Sequence, residues 1–138
     1  INSLKLKIDI DDLKVLKNWL RKNKWGLTDI VLKTTRKKDS PSDQDLVPKE
    51  WNKSLIEKVL NENKIKHIYF TSKWVRNHFE KIISPKLYES IKLFNLISPS
   101  PSGLRRFPKE VTLELPRHED ESNIEYRLRY YNFVLSTQ

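Results

Sequence analysis

The 138-residue chain has no cysteine and no methionine, only two glycines and only three histidines. Without cysteine there are no disulfides and no thiolate metal sites. His67, His78 and His118 are scattered, so a zinc site is not expected. No apolar run approaches the ~20 residues that span a bilayer, and no signal-peptide pattern opens the sequence. The expectation is therefore a soluble chain with no membrane partner. Methionine is missing even at position 1, where the sequence begins Ile1-Asn2. Either a start has been removed or an N-terminal segment lies outside this chain.

What the chain has in excess is positive charge. Lysine and arginine number 27 against 18 acidic residues, for a net charge of +9. That balance favours a polyanionic partner, because each phosphate neutralised releases condensed counterions. A lysine-rich surface also arises from an AT-biased genome, so charge by itself does not separate the two. Hydrophobic content of 37% with 33% charged residues describes one globular domain rather than a disordered chain.

Apolar periodicity divides the chain into alternating elements. Ile8 to Asn23 reads as an amphipathic helix, with Asp9, Asp11 and Asp12 at its start and Lys17, Arg21 and Lys22 late. Leu13, Leu16, Trp19 and Leu20 form its buried stripe, and Gly26 is placed to cap its end. Leu27 to Leu32 reads as a buried strand ending at Lys33, followed by a long polar loop through Arg36, Lys37, Lys38 and Asp43 to Leu46. Trp51 to Asn61 is a second helix that buries Trp51, Leu55, Ile56, Val59 and Leu60. Ile65 to Phe70 is a strand and Thr71-Ser72 its polar end. A helix capped by Ser72 follows, with Trp74, Val75, His78, Phe79 and Ile82 inward. Ile91 to Ile97 is a third strand. Val111 to Leu115 alternates like an edge strand, and Glu121 to Leu135 closes as a helix burying Ile124, Leu128, Tyr131 and Val134 or Leu135. Strands alternating with helices predict a three-layer α/β/α architecture around a small, mostly parallel sheet. Three strand ends, at Lys33, Thr71 and Ser98, then converge on one edge, where open α/β sheets place ligands.

The most distinctive stretch is Ser98-Pro99-Ser100-Pro101-Ser102-Gly103-Leu104-Arg105-Arg106, which breaks directly from an apolar run. Its prolines fix φ and remove backbone donors, making the segment stiff. Small hydroxyls contact phosphate oxygens, glycine allows close backbone approach, and an apolar residue beside arginine can push into a base stack. An ordinary linker has the same composition. Arg36, Lys37 and Lys38 are further candidate phosphate contacts, and equally a solvated charge run.

Taken together these residues resemble the uracil-DNA glycosylase superfamily, in particular its mismatch-specific and hypoxanthine-type branches. Leu96 to Ser102 is similar to the superfamily's second motif, and Ser102-Gly103-Leu104-Arg105 to its wedge. Phe107-Pro108 and the helix with Tyr126, Tyr130 and Tyr131 resemble the C-terminal segment of thymine-DNA glycosylases. Gly26 to Val31, with Arg36, Ser42 and Asp43, resembles a Gly-Leu-Trp-Asp-Val stretch of the hypoxanthine-type members. The chain departs from the family in two ways. The first family motif, which places the hydrolytic water, has no counterpart here, and Thr71-Ser72 stands where a base-reading asparagine is usual.

The resemblance implies a monomeric repair hydrolase acting on double-stranded DNA with a damaged or mismatched base, without a cofactor. It would be cytoplasmic and nucleoid-associated in a bacterium, or nuclear in a eukaryote. In that scheme Ser98 and Ser100 are catalytic and, with Ser102, hold the phosphates flanking an extruded uracil, thymine or hypoxanthine. Gly103 and Leu104, with Arg105 or Arg106, fill the vacated stack. Thr71 or Ser72 reads the base, and Asp29 or Asp43 positions water, although Asp29 equally reads as a structural strand-end residue. Two other readings remain open: an inactive DNA-binding relative of the same fold, and a protein-interaction domain with solubilising lysines.

Overall fold

The computed structural model describes residues 13–37, 39, 45–97 and 109–136. In order the elements are α1 (Leu13–Lys22), β1 (Val31–Arg36), β2 (Leu46–Trp51), α2 (Lys53–Glu62), β3 (His67–Phe70), α3 (Lys73–Ile82), a 3-10 turn (Pro85–Leu87), β4 (Lys92–Asn95), α4 (Lys109–Glu114) and α5 (Asn123–Ser136). The chain is mixed α/β, with one antiparallel and one parallel two-stranded sheet among the described residues. It divides into two compact units, residues 27–96 and residues 1–26 with 97–138.

In residues 27–96 the parallel β3–β4 pair and the helix between them form a βαβ unit. Ser72 starts α3 as expected, its hydroxyl accepting from the Val75 N–H at 3.2 Å. The helix stops at Ile83, just before Ser84-Pro85, since a residue preceding proline avoids the helical region. Strand alternation sends Ile68, Phe70 and Leu93 to one face, where they meet Ile56 of α2 and Phe79 of α3. Phe79 is wedged between Phe70 and Tyr88, with ring centroids 5.1 and 5.0 Å away. The opposite face carries the stack of Tyr69 on Phe94, at 5.0 Å.

The strand expected over Leu27 to Leu32 is not there. Leu27 is 75% exposed, only Ile30 of the stretch is buried, and the strand begins at Val31 and runs through Arg36. It pairs antiparallel with β2, of which sequence patterning gave Leu46 to the polar loop and Trp51 to the second helix, leaving the residues between them unassigned. Pro48 hides that strand, yet among the described residues β2 pairs on one side only, and a strand at a sheet edge tolerates a missing N–H. Each strand also carries one irregularity, so that Val31 faces Trp51, Lys33 faces Glu50 and Thr34 faces Pro48. The Val111 to Leu115 edge strand is a second correction, since these residues lie in or just after helix α4. Leu115 N–H donates to Val111 O at 2.8 Å, and the Thr112 hydroxyl satisfies Lys109 O at 2.9 Å. With Leu113 79% exposed, a five-residue alternation had no burial to enforce it.

Some expected core positions face outward: Leu13 on α1, Leu55 and Val59 on α2, and Ile124 on α5 are all exposed. Gly26 is not the cap of α1 either. The chain turns at Lys24, whose φ is 60°, with Trp25 N–H donating to Leu20 O at 2.8 Å and Lys24 N–H to Arg21 O at 3.2 Å. That is a Schellman closure made with lysine where glycine is usual.

Helix α5 opens with a reciprocal cap. Glu125 N–H donates to the Ser122 hydroxyl at 3.2 Å, and Ser122 N–H donates to Glu125 at 2.8 Å. Behind it Tyr126, 1% exposed, donates its hydroxyl to Leu115 O at 2.7 Å. The Arg117 and Arg129 guanidinium groups lie over the ring at 5.4 and 5.3 Å. Arg129 also grips Glu121 bidentately at 2.7 and 2.8 Å, which with the His118 N–H lowers that carboxyl to about 2. A carboxyl depressed on folding contributes stability above its unfolded value of ~4.3 and loses it as pH falls through the folded value. Acid titration followed by circular dichroism should therefore show a Glu121-dependent loss of helix between pH ~4.3 and about 2. The loss should be absent from Glu121→Gln.

Candidate nucleic-acid interface

The parallel register sets Phe70 against Asn95, so β3 and β4 end side by side. Leu96 N–H continues the ladder to Phe70 O at 2.8 Å. One expected tip, Thr71-Ser72 after β3, thus lies beside Leu96, which follows β4; the expected tip Ser98, two residues further on, lies outside the described residues. Thr71 is exposed, whereas the Ser72 hydroxyl is engaged as the cap of α3. The third tip is a correction, because Lys33 sits within the β1–β2 hairpin and not at an end of the parallel sheet. Arg36 and Lys37 are exposed on that hairpin, Arg36 as the last residue of β1 rather than part of a loop. Ser98, Ser100, Ser102, Gly103, Leu104, Arg105 and Arg106 lie outside the described residues, as do Lys38 and Asp43.

Asp29 is exposed on a turn that Asn52 holds. Asn52 is 5% exposed, and its side-chain amide donates to the Thr28 hydroxyl at 3.0 Å and to Asp29 O at 2.8 Å. Its backbone N–H donates to Ile30 O at 2.9 Å. Sequence reasoning passed over this residue. An asparagine just before a helix suggests a cap, but here the side chain makes no cap bond and reaches back 23 residues instead. Replacing it with alanine should cost about 1–3 kcal/mol, because two polar groups lose their donor. Urea unfolding of Asn52→Ala measures this, and a change below about 0.5 kcal/mol would remove Asn52 from the role.

Trp51, next in the chain, stacks on Trp74 at 6.3 Å and on His78 at 5.0 Å. The Asp29 turn is thereby joined to the first turn of α3, two residues beyond Ser72. His78 is a packed residue, as expected: its Nδ1 lies 2.8 Å from Trp74 O, an acceptor, so that nitrogen carries the proton.

In the other unit, two tyrosines of α5 close on Ile97, the residue before the serine-proline stretch. The Tyr131 hydroxyl donates to Ile97 O, and the backbone of Ile97 also bonds the Tyr130 hydroxyl. Burial raises both phenols above their ordinary value. Among the described residues no three His, Asp or Glu side chains gather as a metal site, and no helix is long and apolar enough to cross a membrane. No protein-family model matches the chain, and no curated protein or solved structure matches it significantly.

Proposed function

We propose that this chain is a DNA-repair glycosylase domain of the uracil-DNA glycosylase type, with a three-layer α/β/α fold. It extrudes a damaged or mismatched base from duplex DNA and hydrolyses its N-glycosidic bond. The supporting observation is the adjacency of Thr71 and Leu96 at the carboxyl ends of β3 and β4. A hydroxyl-bearing turn at a helix start then neighbours the strand that runs into Ser98-Pro99-Ser100-Pro101-Ser102.

Extruding the base costs a few kcal/mol of unstacking. Ser98, Ser100 and Ser102 hold the flanking phosphates in the pinched geometry, while Leu104, with Arg105 or Arg106, fills the gap. The C1′–N bond breaks with its electron pair leaving on the base, and positive charge develops on the sugar. Thr71 or Ser72 meets the departing anion, aided by the N–H groups at the start of α3. A water oxygen bonds C1′ and one water proton finishes on the base, leaving free base and an abasic sugar. Asp29, on the turn held by Asn52, orients that water and accepts its proton in passing.

The test is strand nicking after alkali, on duplexes with uracil, thymine or hypoxanthine opposite guanine or thymine, using the full-length protein. Base release should fall at least ~100-fold in Asp29→Asn, the scale expected for a positioned base. Ser100→Ala and Leu104→Ala should weaken binding or turnover. Binding without base release would identify an inactive DNA-binding relative, and absence of both would leave a protein-interaction domain.

A further inference from the structure

We infer that the β1–β2 ribbon is a groove-reading arm: it lies in the major groove of duplex DNA and grips phosphates through β1. The inference rests on duplex DNA being the partner, as proposed above, but assigns the contact to an element outside the parallel sheet.

A strand ordinarily buries one of its two faces, because successive side chains alternate between them. On β1 every residue from Leu32 to Arg36 is exposed, and Lys37 continues the exposed run. The sheet has only two strands among the described residues, so β1 also presents an edge that no strand covers. At its base the ribbon is held firmly: Val31 and Trp51 face each other across the strands and pack against the core. Alternation places Lys33, Thr35 and Lys37 on one face of β1 and Thr34 and Arg36 on the other. The first face thus bears hydroxyl and cations together, the side-chain groups that make most phosphate contacts, whereas on the second the Thr34 hydroxyl donates to Val47 O at 3.1 Å and Arg36 is the cation. No acidic residue interrupts residues 31–37. Among the described residues of the hairpin the acids are Glu50, paired with Lys33 at 3.0 Å, and Asp39 and Asp45 toward the turn. The Lys33–Glu50 pair is solvent-exposed, with side chains 75% and 48% accessible, and so is open to exchange with a phosphate. A major groove ~12 Å wide admits a two-stranded ribbon; here β1 enters it with residues 32–36 exposed, while Leu46, Val47 and Pro48 of β2 are half-buried and stay on the protein side.

Lysines on a free edge have another use, which is to block strand-to-strand aggregation. One experiment separates the two. The full chain and its Lys33→Gln/Lys37→Gln variant are titrated with an undamaged duplex across a range of salt concentrations, with guanine N7 methylation mapped in parallel. Loss of two phosphate contacts should reduce the slope of log K against log salt by about 1.8. Protection of guanine N7, which lies in the major groove, should be present in the parent and weakened in the variant. An unchanged slope, or unprotected N7 in the parent, overturns the inference. A variant that aggregates while its soluble fraction keeps the parental slope also overturns it, in favour of edge protection. Base release with an unchanged slope sinks the ribbon and spares the glycosylase. A reduced slope with N7 protection but no base release does the reverse.

Discussion

Phe79→Ala will cost residues 27–96 about 3–5 kcal/mol, the largest loss expected from any single truncation in that unit. Phe79 is 4% exposed and brings together three successive elements: β3 through Phe70, the Pro85–Leu87 turn through the neighbouring Tyr88, and α3 itself. Nothing beside it can swing into the space, because Phe70 and Ile83 are themselves 3% and 2% exposed and already packed. Since whole domains are stable by only ~5–15 kcal/mol, the variant should melt far below the parent. Phe79→Leu keeps most of the volume and should lose less than about 1.5 kcal/mol. Urea unfolding monitored by tryptophan fluorescence reads both, because Trp51 and Trp74 pack on the same core. A Phe79→Ala loss below about 1 kcal/mol would mean that this cluster does not hold the unit together.

In the C-terminal segment the corresponding position is Tyr126, where alanine should also cost about 3–5 kcal/mol. Two effects combine there and can be separated. Tyr126→Phe removes only the hydroxyl that satisfies Leu115 O at 2.7 Å, which should cost about 1–2 kcal/mol. The remainder belongs to the ring, which is 1% exposed and faces two guanidinium groups. Helical circular dichroism against urea measures both variants. If Tyr126→Phe were as damaging as Tyr126→Ala, the ring and its arginines would contribute little.

The elements that could be read from sequence are those whose signals are local. α2, α3 and α5 declared themselves by apolar spacing, and α3 also by Ser72 at its start. β3 and β4 are short apolar runs between polar breaks, and their adjacency was legible once the intervening helix was recognised. What escaped depends on partners distant in the chain. β2 is a strand because β1 pairs with it, and its Pro48 argues locally for a loop. Val111 to Leu115 alternates, yet among the described residues no second strand meets it and the backbone satisfies itself helically. Asn52 matters through Thr28 and Asp29, 24 and 23 positions away, and no spacing rule points there. Of the three expected tips, Thr71 came to lie beside Leu96 after β4, Lys33 went to the hairpin, and Ser98 lies outside the described residues.

The two irregularities in that hairpin have a consequence of their own. An extra residue in β1, Leu32, is offset almost at once by one in β2, Lys49, so pairing beyond them returns to the frame that Val31 and Trp51 set. A ladder without them would place Lys33 directly opposite Lys49, two like charges side by side. The double offset deals Lys33 a different neighbour, Glu50, at 3.0 Å. One stutter in each arm thus trades a repulsion for an attraction without lengthening either arm relative to the other.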